Sequence, residues 1–272
     1  MSNMNVSSKR SARTALRAAL VAAGLLIPMQ SVSAQDNDYY RVRAGLGGQI
    51  RPEFIGADST EWAPLFDLSI KQGEEPFDFG APDDNFDITL YSKNGFSVGP
   101  VANIQSGRKN KDVGAPVGKV KTTIEAGLFT QYQLNDSLRL RAEARKGIGG
   151  HDGVVVSAGG DYVWRDGDRY VLSIGPRVLW SNGRYQREWF GVTPDVALAT
   201  GLSPYRPGSG IHAVAGTSGA YVQLFGDVGL FGYGRYERLV GDAAKSPIIR
   251  ELGSRNQVSG GIGLTYTFRV RR

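Results

Sequence analysis

Cysteine is missing from this 272-residue chain, and histidine occurs only as His151 and His212. The first absence excludes a disulfide framework and thiolate chemistry. The second excludes a histidine-rich metal site. Beyond residue 35 there is no apolar run near the ~20 residues of a spanning helix. Nor does that region show the period of an amphipathic helix of ordinary length. Acids are absent from positions 1–34, where Lys9, Arg10, Arg13 and Arg17 stand. An apolar stretch from Ala18 to Met29 follows, and "SVSAQ" sets Val32 and Ala34 at the −3 and −1 positions of a cleavage site. This is the layout of a secretory signal peptide. The run is too short for an anchor and contains Pro28. Residues 1–34 are therefore expected to be cleaved, leaving 35–272 as a single domain. Subtracting the leader's four cations from the formal net charge of +6 leaves +2, a weak basis for nucleic-acid binding.

What fills the rest of the chain is alternation. In "GGIGLTYTFRVRR", Ile262, Leu264, Tyr266, Phe268 and Val270 fall on one strand face, with glycine, threonine and arginine on the other. "RYVLSIGPRVLW" sets Tyr170, Leu172, Ile174, Pro176, Val178 and Trp180 on one side; "LRLRAEAR" splits leucines and alanines from Arg139, Arg141, Glu143 and Arg145. These runs are longer than the 5–6 residues usual in soluble sheets. At about 3.3 Å per residue and a tilt near 40°, Tyr170 to Trp180 covers roughly 25 Å, the height of an outer-membrane apolar band. Short connections at 92–95, 135–137, 165–168 and 226–227 alternate with long ones at 107–119, 146–152, 183–210 and 240–253. Short periplasmic turns and long outer loops alternate in this way in bacterial barrels.

The pattern predicts an all-β, transmembrane, antiparallel up-and-down β-barrel of about twelve strands. The ranges are 39–50, 61–70, 75–80, 85–91, 95–106, 120–134, 138–146, 153–164, 169–182, 211–225, 228–239 and 255–269. The strand at 75–80 is required by parity, because both ends should lie in the periplasm; ten strands remain if 61–80 does not pair. Leu172, Ile174 and Val178 are assigned to lipid. Trp164, Tyr170, Tyr266 and Phe268 are assigned to the inner-leaflet girdle, with the last strand closing on the first.

Few residues suggest chemistry. "GGHDG" holds the one His-Asp pair, His151 and Asp152, but neighbours diverge on an extended chain and no nucleophile is in evidence. "GLFGYG" at 229–234 opens no helix, so its glycines read as close packing in a strand rather than a nucleotide loop. Arg41, Arg43, Arg139, Arg141, Arg145 and Arg177 fall on polar faces. They could line an anion-selective lumen, or be neutralised by Glu143 and loop acids in a plugged one. Buried charges need partners and the loops are long enough to fold inward, which favours the plug. Thr193-Pro194 and Ser246-Pro247 each read as an N-cap followed by proline at the first helical position. No catalytic, cofactor-binding or metal-binding residue is assigned.

Four blocks resemble a known family: "REWFGVTPDVALATGLSPYRPGSG" (187–210), "RLVGDAAKSPIIRELGS" (238–254), "GPVANIQSGRK" (99–109) and "GGHDG" (149–153). They are similar to the MipA/OmpV family, over about residue 39 to Phe268. The family's usual Tyr-Phe before Gly-Val is Trp189-Phe190 here. The C-terminal strand also resembles the assembly signal of outer-membrane proteins, which ends on an aromatic; here Arg269–Arg272 follow Phe268. The resemblance implies an outer-membrane barrel embedded in lipid, without cofactor or enzymatic activity. It implies a scaffold role with murein transglycosylase and synthase proteins as partners, as for the name-giving MltA-interacting protein. A small-solute pore and a surface adhesin are the alternatives.

Overall fold

The computed structural model describes residues 39–271. The expected signal peptide and its cleavage site lie outside the described residues. Twelve strands follow in order: β1 (Tyr39–Pro52), β2 (Thr60–Gln72), β3 (Phe86–Asp87), β4 (Tyr91–Lys93), β5 (Phe96–Gln105), β6 (Thr123–Asn135), β7 (Leu138–Ile148), β8 (Val154–Asp166), β9 (Tyr170–Ser181), β10 (Gly210–Phe225), β11 (Val228–Leu239) and β12 (Asn256–Arg271). Five short helices sit in the long loops: α1 (Asn110–Val113), α2 (Gly183–Phe190), α3 (Pro194–Thr200), α4 (Gly241–Lys245) and α5 (Pro247–Leu252). No helix among the described residues is long and apolar enough to cross a membrane.

All ladders are antiparallel, and the sheet runs β2-β1-β12-β11-β10-β9-β8-β7-β6-β5-β3, with β4 also on β5. The last strand closes on the first, in register from Tyr39 opposite Arg271 to Ile50 opposite Gly260. Glycine is required in this joint. A Cβ at Gly47 would lie 2.1 Å from the Ile262 carbonyl oxygen, and one at Gly263 2.4 Å from the Phe231 ring. Each long strand turns one face outward and apolar: Leu172, Ile174, Val178, Ile262, Leu264, Tyr266 and Phe268 are exposed, as assigned. Trp164 and Tyr170 are exposed beside the tight 165–168 turn. An outward apolar surface of this extent fits a hydrocarbon surround and would aggregate in water.

The strand expected at 75–80 is absent, which corrects the N-terminal part of the sequence reading. After β2 the chain turns at Gly73, whose φ is +70°, and residues 74–85 climb inside the barrel. There Phe77 lies under the Arg41 and Arg43 guanidinium groups, at 4.8 and 4.9 Å. Phe79 lies under that of Arg139, at 4.7 Å. Parity is thus met by an inner ascent rather than a wall strand. Pro76 and Pro82 cannot donate to a ladder, and Asp83 and Asp84 find their arginines in the lumen. The strand expected at 85–91 exists but is split into β3 and β4. Its middle is carried by Ile88 N–H to Pro100 O at 3.2 Å and Leu90 N–H to Val98 O at 3.0 Å. Pro100 on β5 supplies no N–H in return, and the ladder is interrupted there. β2 and the β3–β4 strand each have a ladder neighbour on one side only.

Loop lengths orient the barrel, with the long loops outside. Tags inserted at 111–116 or 203–208 are expected to react with a membrane-impermeant label on intact cells, and tags at 165–168 to stay silent. Labelling at 166 in sealed cells would invert the orientation.

Candidate functional site

The interior is a ladder of ion pairs. β7 alternates, so Arg139, Arg141, Glu143 and Arg145 all point inward, buried to 1%, 9%, 5% and 7% exposure. Arg139 grips Asp161 on β8 at 2.6 Å and takes Asp84 of the inner segment through both terminal nitrogens, at 2.5 and 3.1 Å. The second Asp161 oxygen accepts from Arg177 on β9 at 2.6 Å. Arg177 in turn forks onto Asp83 at 3.0 and 2.9 Å. Asp83 also accepts from the Thr217 hydroxyl at 3.2 Å and from Arg235, and Arg235 reaches Glu237 at 2.6 Å. On the other side Arg141 holds Glu143 and Asp87 at 2.8 and 2.6 Å. Arg145 binds Glu125 at 2.9 Å and also Glu143. Nearer the turn end Arg43 pairs with Asp67 at 3.2 Å and Arg41 with Asp168 at 3.0 Å. All six arginines singled out in the sequence therefore face the lumen, and each is neutralised. Forked arginine–carboxylate pairs are the strongest of their kind.

The long loops build an apolar roof over the outer end. Trp189 and Phe190 on α2 are 0% exposed and pack with Phe54, Tyr185, Leu239 and Ile249. Asn182 caps α2 by accepting from the Tyr185 N–H at 3.1 Å. Thr193 caps α3 as its sequence suggested, accepting from the Val196 N–H at 3.3 Å. Ser246 precedes α5 as expected but does not cap it; its hydroxyl donates to the Phe190 carbonyl at 2.7 Å, stitching two loops together. Arg108, 1% exposed, donates to the Trp189 carbonyl at 2.6 Å, with its guanidinium 5.9 Å from the indole centroid. Burial lowers the Arg108 pKa to about 10, so it remains charged at neutral pH. A cation suits the carbonyl-rich C-terminus of α2.

His151 and Asp152 do not form a pair. His151 is buried, with Nε2 2.9 Å from Glu125 and Nδ1 accepting from the Gly153 N–H at 3.0 Å. That arrangement places the imidazole proton on Nε2. Asp152 is exposed and adopts φ +45° in the loop turn. The histidine ring meets the Tyr185 ring edge-on at 4.8 Å, so it joins the lumen ladder to the roof. The 229–234 glycines lie within β11 as read, and a Cβ at Gly229 would lie 2.7 Å from Tyr221.

At the turn end a cavity of about 420 Å³ opens, lined by Arg41, Phe77, Asp168, Tyr221, Phe268 and Arg269 among others. Glu74 stands at its edge. The Tyr39 hydroxyl, with Arg269 adding to it, holds its carboxyl below the usual range.

A lipid-facing antiparallel sheet that pairs its first strand with its last, around a polar lumen, defines an outer-membrane β-barrel. Residues 44–268 match the family described as MltA-interacting protein MipA, and the chain belongs to that family. No curated protein matches the sequence. Among solved structures the chain is similar to the KdgM porin, at 10% identity over 85% of this chain and 99% of that one, with a TM-score of 0.37. It is also similar to the outer-membrane channel DcaP of Acinetobacter baumannii, at 9% identity over 89% and 100%, TM-score 0.38. A third likeness is the COG4313 outer-membrane channel of Pseudomonas putida F1, at 8% identity over 90% and 100%, TM-score 0.41.

Proposed function

We propose that this protein is a closed, non-enzymatic scaffold of the outer membrane, exported by cleavage of residues 1–34 and folded as one barrel over 35–272. Its work is contact with periplasmic cell-wall enzymes, of which a murein transglycosylase is the one the family's name points to. The observation that carries this reading is the occlusion of the lumen. Residues 74–85 lie in it, held by ion pairs to Arg139, Arg141, Arg177 and Arg235, and an apolar roof covers the outer end. A lumen occupied and roofed in this way offers surfaces rather than a path. The cavity beside Arg41 and Phe77 supplies such a surface on the periplasmic side.

Planar-bilayer recording of the purified mature barrel tests the reading. Silence is expected, together with retention of a murein transglycosylase on immobilised barrel. The second reading, a small-solute pore, draws on the number of lumen arginines. It predicts large, stable, anion-selective steps that Arg139→Glu or Arg141→Glu reverses, and such steps would sink the scaffold.

A further inference from the structure

The inner segment is held in an unusual way. Residues 74–85 form no ladder with any strand. Their own backbone bonds are few. The Phe77 N–H donates to the Asp168 carboxylate at 3.0 Å, the Ala81 N–H to Asp84 at 2.8 Å and the Asp84 N–H to Ala81 O at 3.0 Å, while the Glu75 and Phe77 carbonyls accept from Arg41 and, at 3.0 Å, from Arg165. What seats the upper half is two carboxylates on consecutive residues. Asp83 occupies the fork of Arg177 and touches Arg235; Asp84 occupies the fork of Arg139 and touches Arg141. If both carboxylates are withdrawn, Arg139 and Arg177 are left sharing Asp161 alone. That pair then lacks one carboxylate, and the Thr217 hydroxyl, 3.2 Å from Asp83, loses its acceptor. The segment starts at the turn end, where Glu74 and Phe77 line the cavity beside Arg41 and Asp168.

We infer that Arg139, Arg141, Arg177 and Arg235 form a binding site for a small dianionic solute, and that Asp83 and Asp84 occupy it as a tethered internal ligand. The ligand class is a molecule bearing two carboxylates or similar oxyanions, spaced to reach the Arg139 and Arg177 forks. Each fork accepts one planar anion through two parallel N–H bonds, the geometry for which guanidinium is suited. A tethered competitor acts at an effective concentration on the order of millimolar, so the native chain binds a free dianion weakly. The site goes beyond the scaffold reading and does not depend on it. With the roof over the outer end, binding rather than conduction is the signature of the site.

Two measurements with succinate, a dicarboxylate that is dianionic at neutral pH, test the site on the mature barrel in detergent. In calorimetric titration, Asp83→Asn/Asp84→Asn is expected to bind succinate about tenfold or more tightly than the native protein, because the internal competitor is removed. Adding Arg177→Gln should abolish the gain. The second measurement avoids disturbing the ion pairs. A Cβ built at Gly219 lies 2.6 Å from Pro82 Cγ, so Pro82→Cys/Gly219→Cys lies within disulfide reach in a chain with no other cysteine. Closure of that bond pins the segment in the lumen. With a fixed concentration of oxidised glutathione as oxidant, succinate is expected to slow closure several-fold relative to sodium chloride at equal ionic strength. Succinate binding no tighter to the double asparagine variant than to the native protein would overturn the site. So would disulfide closure at the same rate in succinate and chloride. Neither result bears on whether the native barrel conducts or captures a murein enzyme.

Discussion

Arg139→Leu is expected to destabilise the barrel by about 3–5 kcal/mol, because it leaves Asp84 and Asp161 buried without their shared cation. The sequence alone suggests a milder change, on the condition that Arg139 is a solvated lumen group. That condition fails: its side chain is 1% exposed and bridges the inner segment to β8. Ile174→Arg, which puts a charge on the lipid face near mid-height, is expected to cost about 2–4 kcal/mol. The lumen change should therefore be at least as harmful as the lipid-face change. Urea titration of each variant refolded into lipid vesicles measures both. Arg139→Leu/Asp161→Leu should recover part of the loss, since an uncompensated charge is worse than a missing pair. A midpoint for Arg139→Leu equal to that of the native protein would mean the ladder is hydrated and contributes little.

The long strands were legible because each serves two solvents at once. A strand between lipid and a polar lumen must alternate, and Leu264 outward against Thr265 inward is the alternation that the period of two predicts. Turn chemistry and loop length did the rest, and Pro194 and Pro247 marked the starts of α3 and α5. The inner segment was not legible, because Phe77, Asp78 and Phe79 alternate as a wall strand would. The aromatics instead stack under lumen arginines, a surrounding that periodicity does not report. Which acid meets which arginine was equally hidden. Asp83 and Arg177 lie 94 positions apart, and only the entry of the inner segment into the lumen brings them together. Arg108 and Trp189 lie 81 positions apart, so the roof's main tie left no local trace. The helix α2 did carry a signal in Asn182, with Tyr185 and Trp189 four apart on one face, but it lacks the proline that flagged its neighbours.

Trp189→Ala is expected to cost about 3–5 kcal/mol, and the loss should fall on the roof rather than on the barrel wall. The indole is 0% exposed, in the same cluster as Tyr185, Phe190 and Ile249, so its removal leaves a cavity that the sheet below cannot close. It also removes the ring beneath the buried Arg108 guanidinium. The wall is held by ladder hydrogen bonds that do not pass through α2, and these remain. Intact cells expressing the variant should therefore show rapid protease cleavage within 183–210 while the strands stay protected. Leu198→Ala, in the same loop but at 88% exposure, should change stability by less than about 0.5 kcal/mol and leave cleavage at the native rate. A Trp189→Ala protein cut no faster than the Leu198→Ala control would show that the loops close the outer end without help from their apolar core. Unfolding of the wall together with the roof would instead show that His151, set between Glu125 of β6 and Tyr185 of α2, ties the two into one cooperative unit.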